Sequence, residues 1–281
     1  MLTNEQAKDR AADLVRRAMT AGADACDVVY SGDGATQVQM RLGVLEDVDR
    51  SEGEDIGLRV FVGNRSASAS SSDLSIEAMN ALAERAVAMA REAPEDPYAG
   101  LAPENRLMQD ELPALELFDK TEVHPQDLRE RALAAEEAAR SVKGVTNSEG
   151  AGASASMAVM ALATSHGFAA SYSGSSHGIS ASVLAGEGGS MQRDYAYHSA
   201  RHLSDLEAPQ DIGKVAGDRA IARLNPIKLK SGAMPVIFDP RVGNSLLGHL
   251  AGAITGAAIA RKTSFLLDRL EQAVFASGVQ V

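Results

Sequence analysis

Tryptophan is absent from the 281 residues, aromatics make up only 4%, and Cys26 is the single cysteine. A core built on large rings is therefore excluded, and with Ala, Gly and Ser abundant it must consist of small and aliphatic side chains. One cysteine rules out an internal disulfide and fits a reducing cytoplasm. Positive charge is also short: 27 Lys and Arg against 38 Asp and Glu leave a net charge of −11. Such a chain repels phosphate backbones, so direct nucleic-acid binding is not expected. No uncharged apolar stretch is long enough to span a bilayer, and MLTNEQAKDR lacks the apolar centre of a signal peptide. A soluble, cytoplasmic protein without a membrane partner is expected. Several motifs are missing too. There is no phosphate loop of Walker type and no dinucleotide-binding turn, and Tyr172-Ser173-Gly174-Ser175-Ser176 does not fit Gly-x-Ser-x-Gly.

What is present reads as α+β, with more than one domain at this length. Ala7, Ala11, Leu14, Val15 and Ala18 form one face of a helix over Glu5–Met19, closed by Gly22. Strands are expected over 25–30, 36–45 and 56–62, with a turn at Ser31-Gly32-Asp33-Gly34, then another strand after Gly63-Asn64. Ser75 caps a second helix whose buried stripe is Ile76, Met79, Leu82, Ala83, Ala86, Val87 and Ala90. These elements predict an N-terminal antiparallel sheet with helices over 1–93. Cys26, among strand residues, reads as a small buried hydrophobe. The acidic run from Glu46 to Asp55 lacks calcium-loop spacing and reads as a solvated hairpin end.

Pro94, Pro97, Pro103 and Pro113 mark an extended connector over 94–116, where Tyr98 is a candidate for docking on a domain surface. A second, middle α+β domain follows over 117–225. It starts with a helix from Pro125 that buries Leu128, Ala132, Ala135 and Ala139. Strands are expected over 145–156, 157–165, 168–173 and 178–185, and a helix over 212–224 that Asn225-Pro226 stops. This sheet has two readings: an ordinary sheet with one wet face, or a platform that pairs with an extended peptide.

The last segment, 226–281, carries the most distinctive stretch. Met234–Phe238 reads as a buried strand, Asp239 as an N-cap and Pro240 as the first helical residue. In the helix that follows, Gly248, Gly252 and Gly256 recur every fourth residue, leaving a stripe open to close approach by a substrate or partner backbone. Packing against a sheet is the alternative use of that stripe.

PVIFDP (235–240), SLLGHLAGAITG (245–256), ARKTSFLLD (260–268) and SVLAGEGGSMQRDYAYHSARHLSDL (182–206) resemble the TldD/PmbA family, the peptidase-like proteins also described as modulators of DNA gyrase. The likeness is greatest to the PmbA (TldE) branch. In the TldD branch this helix carries His-Glu-x-x-x-His, whose histidines bind a metal and whose glutamate is the base. The positions that match are Asn244, Ser245 and His249, so two of the three groups are missing. Asn244 is a poor zinc ligand, and Ser245 is no base near neutral pH. The resemblance implies a non-catalytic subunit, in a heterodimer or higher assembly with a TldD-like partner that holds the zinc and cleaves peptides or unfolded segments. It also implies that 226–281 is the start of a β-rich C-terminal domain, in a truncated or partial chain.

Two further readings stay open. The chain is itself a metallopeptidase with unconventional ligands, for which His249, His198 and His202 are the candidates, or it is a non-enzymatic regulator that binds proteins. His198 and His202 would share a face if they lay on a helix, with Asp194 and Asp205 nearby. His166 and His177 fall in Gly/Ser-rich segments and read as exposed turn residues, and His124 precedes a proline at a helix start.

Overall fold

The structure is a computed structural model, and it describes residues 1–108 and 113–279. In chain order come α1 (Asn4–Thr20), β1 (Ala25–Arg41), β2 (Val44–Val62), β3 (Arg65–Ser71), α2 (Ile76–Glu92), α3 (Pro125–Ser141), β4 (Val145–Thr164), β5 (Ala169–Ala185), β6 (Gln192–Ala200), α4 (Pro209–Ala222), α5 (Pro240–Ala253) and α6 (Gly256–Ala260). Met1–Pro226 forms one compact unit and Ile227–Val281 a second.

Within the first unit the same order, helix–strand–strand–strand–helix, occurs twice. The two halves share one six-stranded sheet of order β3-β2-β1-β4-β5-β6. Every neighbouring pair is antiparallel, and the central pair runs from Asp27↔Thr164 to Met40↔Ala151. Residue n on β1 thus faces residue 191 − n on β4, a local dyad lying between Asp33–Gly34 and Met157–Ala158. The segments expected as separate domains over 1–93 and 117–225 therefore contribute to a continuous sheet.

Side chains alternate along a strand, so the core residues identify the covered face. Cys26, Val28 and Tyr30 on β1, with Val159, Ala161 and Ala163 on β4, pack under α1 and α2. Val38 and Met40 on β1, with Ala151 and Ala153 on β4, pack under α3 and α4. All the β1 positions are even and all the β4 positions odd, so both helix pairs lie on the same face. The opposite face is wet: Val29, Leu162, Tyr172, Tyr195 and Tyr197 are exposed there. β4 is paired on both sides, which leaves its main chain no room for an added peptide strand.

The strands are longer than the sequence pattern predicts. β1 runs through Ser31–Gly34 without turning, and β2, β4 and β5 are also continuous. Gly32 is in the strand because the Tyr30 ring and the Met1 side chain lie across it, where a Cβ would clash. The reversal comes instead at Leu42-Gly43, with φ of 52° and 79°, the signature of the tight turn that matches strand twist. Buried Glu136 of α3 secures this turn. Its Oε1 accepts from the Leu42 N–H (2.7 Å) and the Ser148 hydroxyl (2.5 Å), and its Oε2 from the Gly43 N–H (2.8 Å). A register shift between Ser148 and Gly150 lets the Ser148 side chain turn inward.

The helix ends follow local chemistry. Thr3 and Gln6 make a reciprocal capping box on α1, and Ser75 caps α2. Ile76, expected inside, is 57% exposed because it starts the helix beyond the sheet. α3 and α4 pack through small residues. A Cβ on Gly213 would run into the Ala135 carbonyl, and one on Gly217 would come within 2.5 Å of Val142. Of the connector over 94–116, residues 109–112 lie outside the described residues. Tyr98 within it is 93% exposed and does not dock on the described residues.

In the second unit Asp239 caps α5 as expected, its carboxylate accepting from the Arg241 N–H, and Pro240 follows at the first position. The expected strand over 234–238 is not seen, since residues 233–239 have no strand partner among the described residues. The helix also breaks after Ala253 and restarts at Gly256 with Thr255 as a new cap. Among the described residues, nothing outside the helix itself lies within 4 Å of a Cβ built on Gly248, Gly252 or Gly256, so no other described backbone approaches that stripe. Among the described residues, no helix is long and apolar enough to cross a membrane.

Candidate functional site

Asn244, Ser245 and His249 are all exposed on α5, and the Ser245 hydroxyl donates to the Val242 carbonyl at 2.6 Å. One amide, one hydroxyl and one imidazole do not fit zinc, which takes thiolate, imidazole and carboxylate ligands. Among the described residues, no three His, Cys, Asp or Glu side chains are grouped closely enough to hold a metal ion.

The helix that would put His198 and His202 on one face is not there. His198 is on β6, and His202 lies past its end. Each ring has its own partner: His198 Nδ1 accepts from the Glu207 N–H (3.2 Å), and His202 Nε2 meets the Glu116 carbonyl (3.0 Å). Asp194 is buried, with Arg223 3.2 Å away. Cys26 is fully buried, and burial, reinforced by Asp27, pushes its thiol up to about 11, so little thiolate exists at neutral pH.

A cleft of about 520 Å³ lies where the dyad crosses the covered face. Its floor includes Gly34, Met157, Ser175 and His177, and the end of the connector, residues 118–125, forms a wall. Two hydrogen bonds sew the connector to the sheet, Ser175 N–H to the Leu117 carbonyl (2.9 Å) and Asp119 N–H to Ser175 Oγ (2.8 Å), while the Ser175 hydroxyl donates to the Arg201 carbonyl just past β6 (2.8 Å).

Asp119 projects into this cleft. The Leu203 N–H (2.7 Å to Oδ2) and then Thr121, whose N–H is 2.8 Å from Oδ1, hold its carboxyl well below the usual carboxylate range. His177, expected as an exposed turn residue, is only 3% exposed. It lies within β5, where Ser175, His177, Ile179 and Ala181 alternate onto the covered face. Its Nε2 is 3.5 Å from Asp119 Oδ2, yet neither ring nitrogen has a hydrogen-bond partner among the described residues. Burial lowers its pKa against the opposing pull of Asp119, and the charges of Arg131 and His202 lower it further. Burial thus favours the neutral imidazole, and in that state the 3.5 Å contact with Asp119 is not an ion pair. The period-two pattern of SSHGISASV was the one signal for its burial, masked by the turn-like Ser and Gly content.

Three family models match in sequence: PmbA/TldA metallopeptidase domain 1 over residues 26–90, the central domain over 118–224 and the C-terminal domain over 231–281. The metalloprotease PmbA of Escherichia coli is 39% identical over 248 residues, which is 88% of this chain and 55% of that protein. A metalloprotease PmbA homolog of Haemophilus influenzae is 34% identical over 261 residues, 92% of this chain and 57% of that one. The chain thus spans a little over half the length of the curated relatives it matches. Among solved structures, a Bacteroides thetaiotaomicron protein whose description concerns modulation of DNA gyrase aligns with a TM-score of 0.86 at 25% identity, over 97% of this chain and 62% of its own. TldE of Thermococcus kodakarensis, at 18% identity, shares the fold with a TM-score of 0.77 over 92% of this chain and 58% of that one. Matches to all three domain models in order, with relatives of the same name across most of the chain, establish that it belongs to the TldD/PmbA family.

Proposed function

We propose that this chain acts as a PmbA/TldE-type subunit of a two-component metallopeptidase, and that it is not the subunit that performs hydrolysis. A TldD-like partner supplies the zinc and the catalytic base, and peptides or unfolded segments are cleaved in the assembly. The observation that carries this reading is the donor set on α5: Asn244, Ser245 and His249 stand where the TldD branch has two histidines and a glutamate. Hydrolysis by a bound metal needs about three protein ligands and a carboxylate beside the water. α5 brings one imidazole and no carboxylate at those positions. The relatives named metalloprotease PmbA and the fold shared with a TldE support placing the chain in this branch. A single, buried cysteine and a net charge of −11 support a cytoplasmic role without direct DNA contact.

The test is peptide hydrolysis with added zinc, by this chain alone and mixed with a TldD-like subunit. The expected result is turnover only in the mixture, lost on chelation. Robust chelator-sensitive turnover by this chain alone would overturn the assignment.

A further inference from the structure

We propose that the free edge of β3 is a dimerisation surface whose occupant is the β3 edge of a second copy of this chain, the two sheets joining across a two-fold axis at Ser68. The inference does not rest on α5 or on the subunit assignment.

β3 is the outermost strand on its side of the sheet and pairs only with β2. Gly63-Asn64 is a two-residue turn between Val62 and Arg65, a closing pair that exchanges hydrogen bonds in such a hairpin. The alternate residues Ser66, Ser68 and Ser70 therefore turn their N–H and C=O groups away from β2. Among the described residues, the one partner of these groups is Arg85, whose Nη2 is 3.5 Å from the Ser70 carbonyl. Residues 66–71 hold no proline, no charge and no register shift, so the devices that ordinarily protect an edge strand are missing. β6, the outermost strand of the other half, is guarded. Its Tyr195 N–H lies 2.7 Å from Asp194 Oδ1, and Arg219 donates to the Tyr195 carbonyl at 3.2 Å. The two halves share one plan, and only the β3 end of the sheet is left open.

The occupant follows from α2, which straddles β2 and β3. Asn80 looks toward α1, where Arg17 reaches it, and Arg85 looks over the β3 edge. Helical spacing puts Ala78, Ala81, Arg85, Ala88, Met89 and Glu92 on the edge side, all but Ala78 exposed. Glu77, Glu84 and Arg91 are in line with Asn80 instead. α2 runs antiparallel to β3, because Arg85 reaches Ser70 while Arg65 donates to the Arg91 and Ala93 carbonyls, each at 3.0 Å. A two-fold axis at Ser68 pairs Ser66 with Ser70 of the second copy and Ser68 with its own equivalent, each pair exchanging two hydrogen bonds. Strands so joined stand about 4.8 Å apart. With each α2 set back over its own β2 and β3, the two copies of this helix lie about 8–10 Å apart, an ordinary packing distance for which three alanines leave room. The same axis sets Met89 beside its equivalent and directs Arg85 toward Glu92 of the second copy. Arg65 is engaged by Glu95 at 3.3 Å and Asp73 accepts from the Ser75 N–H at 2.9 Å, whereas Arg85 and Glu92 have no ion-pair partner among the described residues. One cation and one anion related in this way make the surface complementary to itself, as a two-fold contact requires.

The purified 281-residue chain is studied by sedimentation equilibrium, and a dimer is expected. Ser68→Pro removes an outward N–H from an edge strand, where proline is tolerated, and Ser68→Lys sets two like charges opposite each other at the axis. Each is expected to weaken the dimer at least about tenfold. The Lys side chain lies on the exposed face, so that variant serves if the Pro variant does not fold. Arg85→Glu should weaken the dimer by opposing two acids, and Arg85→Glu combined with Glu92→Arg should restore it, which a merely unfolded variant could not do. Narrow-pair Cα atoms are about 5.5 Å apart, within disulfide range, so Ser68→Cys should cross-link on mild oxidation. Cys26 is buried and does not compete, and Ser199→Cys on β6 should stay uncross-linked. A chain that stays monomeric, or a dimer unmoved by the Ser68 variants, would overturn the proposal. So would a chain that is monomeric alone and whose Ser68 variants lose binding to a TldD-like subunit or to an extended peptide, since the edge would then belong to that occupant.

Discussion

Replacing Glu136 should damage the first unit more than any other single polar substitution, because three donors converge on one buried carboxylate. Leu42 N–H, Gly43 N–H and the Ser148 hydroxyl lie 2.7, 2.8 and 2.5 Å from its oxygens, and the side chain is fully buried. A hydrogen bond to a charged group contributes about 1.5–3 kcal/mol, but these three are not additive. Leu42 is 50% exposed, so water recovers part of the loss at the turn. Glu136→Ala is expected to cost about 3–5 kcal/mol, the range seen when one partner of a buried charged contact is removed. Glu136→Gln should cost less, about 1–3 kcal/mol. Whichever way its amide is turned, one oxygen still accepts, while the NH₂ meets a backbone N–H. Urea unfolding of both variants, with hydrogen exchange at the Leu42 and Gly43 amides, checks this. A loss below about 1 kcal/mol for Glu136→Ala, with unchanged exchange at the turn, would refute the view that this carboxylate holds the β1–β2 reversal in place.

Gly213→Ala should destabilise the α3–α4 contact by about 1–3 kcal/mol, measured by urea denaturation, because its Cβ would meet the Ala135 carbonyl in a packed interface. Gly252→Ala, on a stripe that meets nothing within 4 Å, should leave stability unchanged or slightly raise it by the same assay. Acid should weaken the fold in two stages. The pKa of His177 is lowered by burial, so its contribution is present above the unfolded value of about 6.5 and declines as pH falls below it. The pKa of Asp119 is also lowered, so its contribution is present above about 3.9 and is lost as pH falls through the folded value. Urea midpoints against pH should lose the first slope in His177→Phe and the second in Asp119→Asn. His249→Ala, at an exposed position of α5, should change stability by less than about 0.5 kcal/mol and leave zinc content by elemental analysis unaltered.

The helices were legible because their chemistry is local. Thr3, Ser75, Pro125, Pro209 and Asp239 mark starts that sit within a few residues of the expected ones, and Leu128, Ala132, Ala135 and Ala139 are the inward face of α3 as their spacing implies. The strands were harder to read. Ser31-Gly32-Asp33-Gly34 has the composition of a turn, yet Tyr30 folding over Gly32 makes it a strand interior. The actual reversal uses Leu42 at positive φ, which no local rule favours, because Glu136 reaches it from 94 residues away.

For the candidate site, the sequence alone identified the family and the altered groups on α5, since residue identity at three positions is enough to show which ligands a helix can bring. It also determined charge balance and the small-residue core, which are sums over composition. Tertiary structure decided the rest. The close glycine contacts fall on α4, not on α5, because a glycine stripe is closed only by whatever packs on it. His177 became a buried, unpartnered ring facing Asp119 only when the connector was sewn across β5, bringing together residues 58 apart in the chain. Alternation along a strand states that a side chain points to one face, but what covers that face depends on contacts distant in sequence, and only the folded chain specifies them.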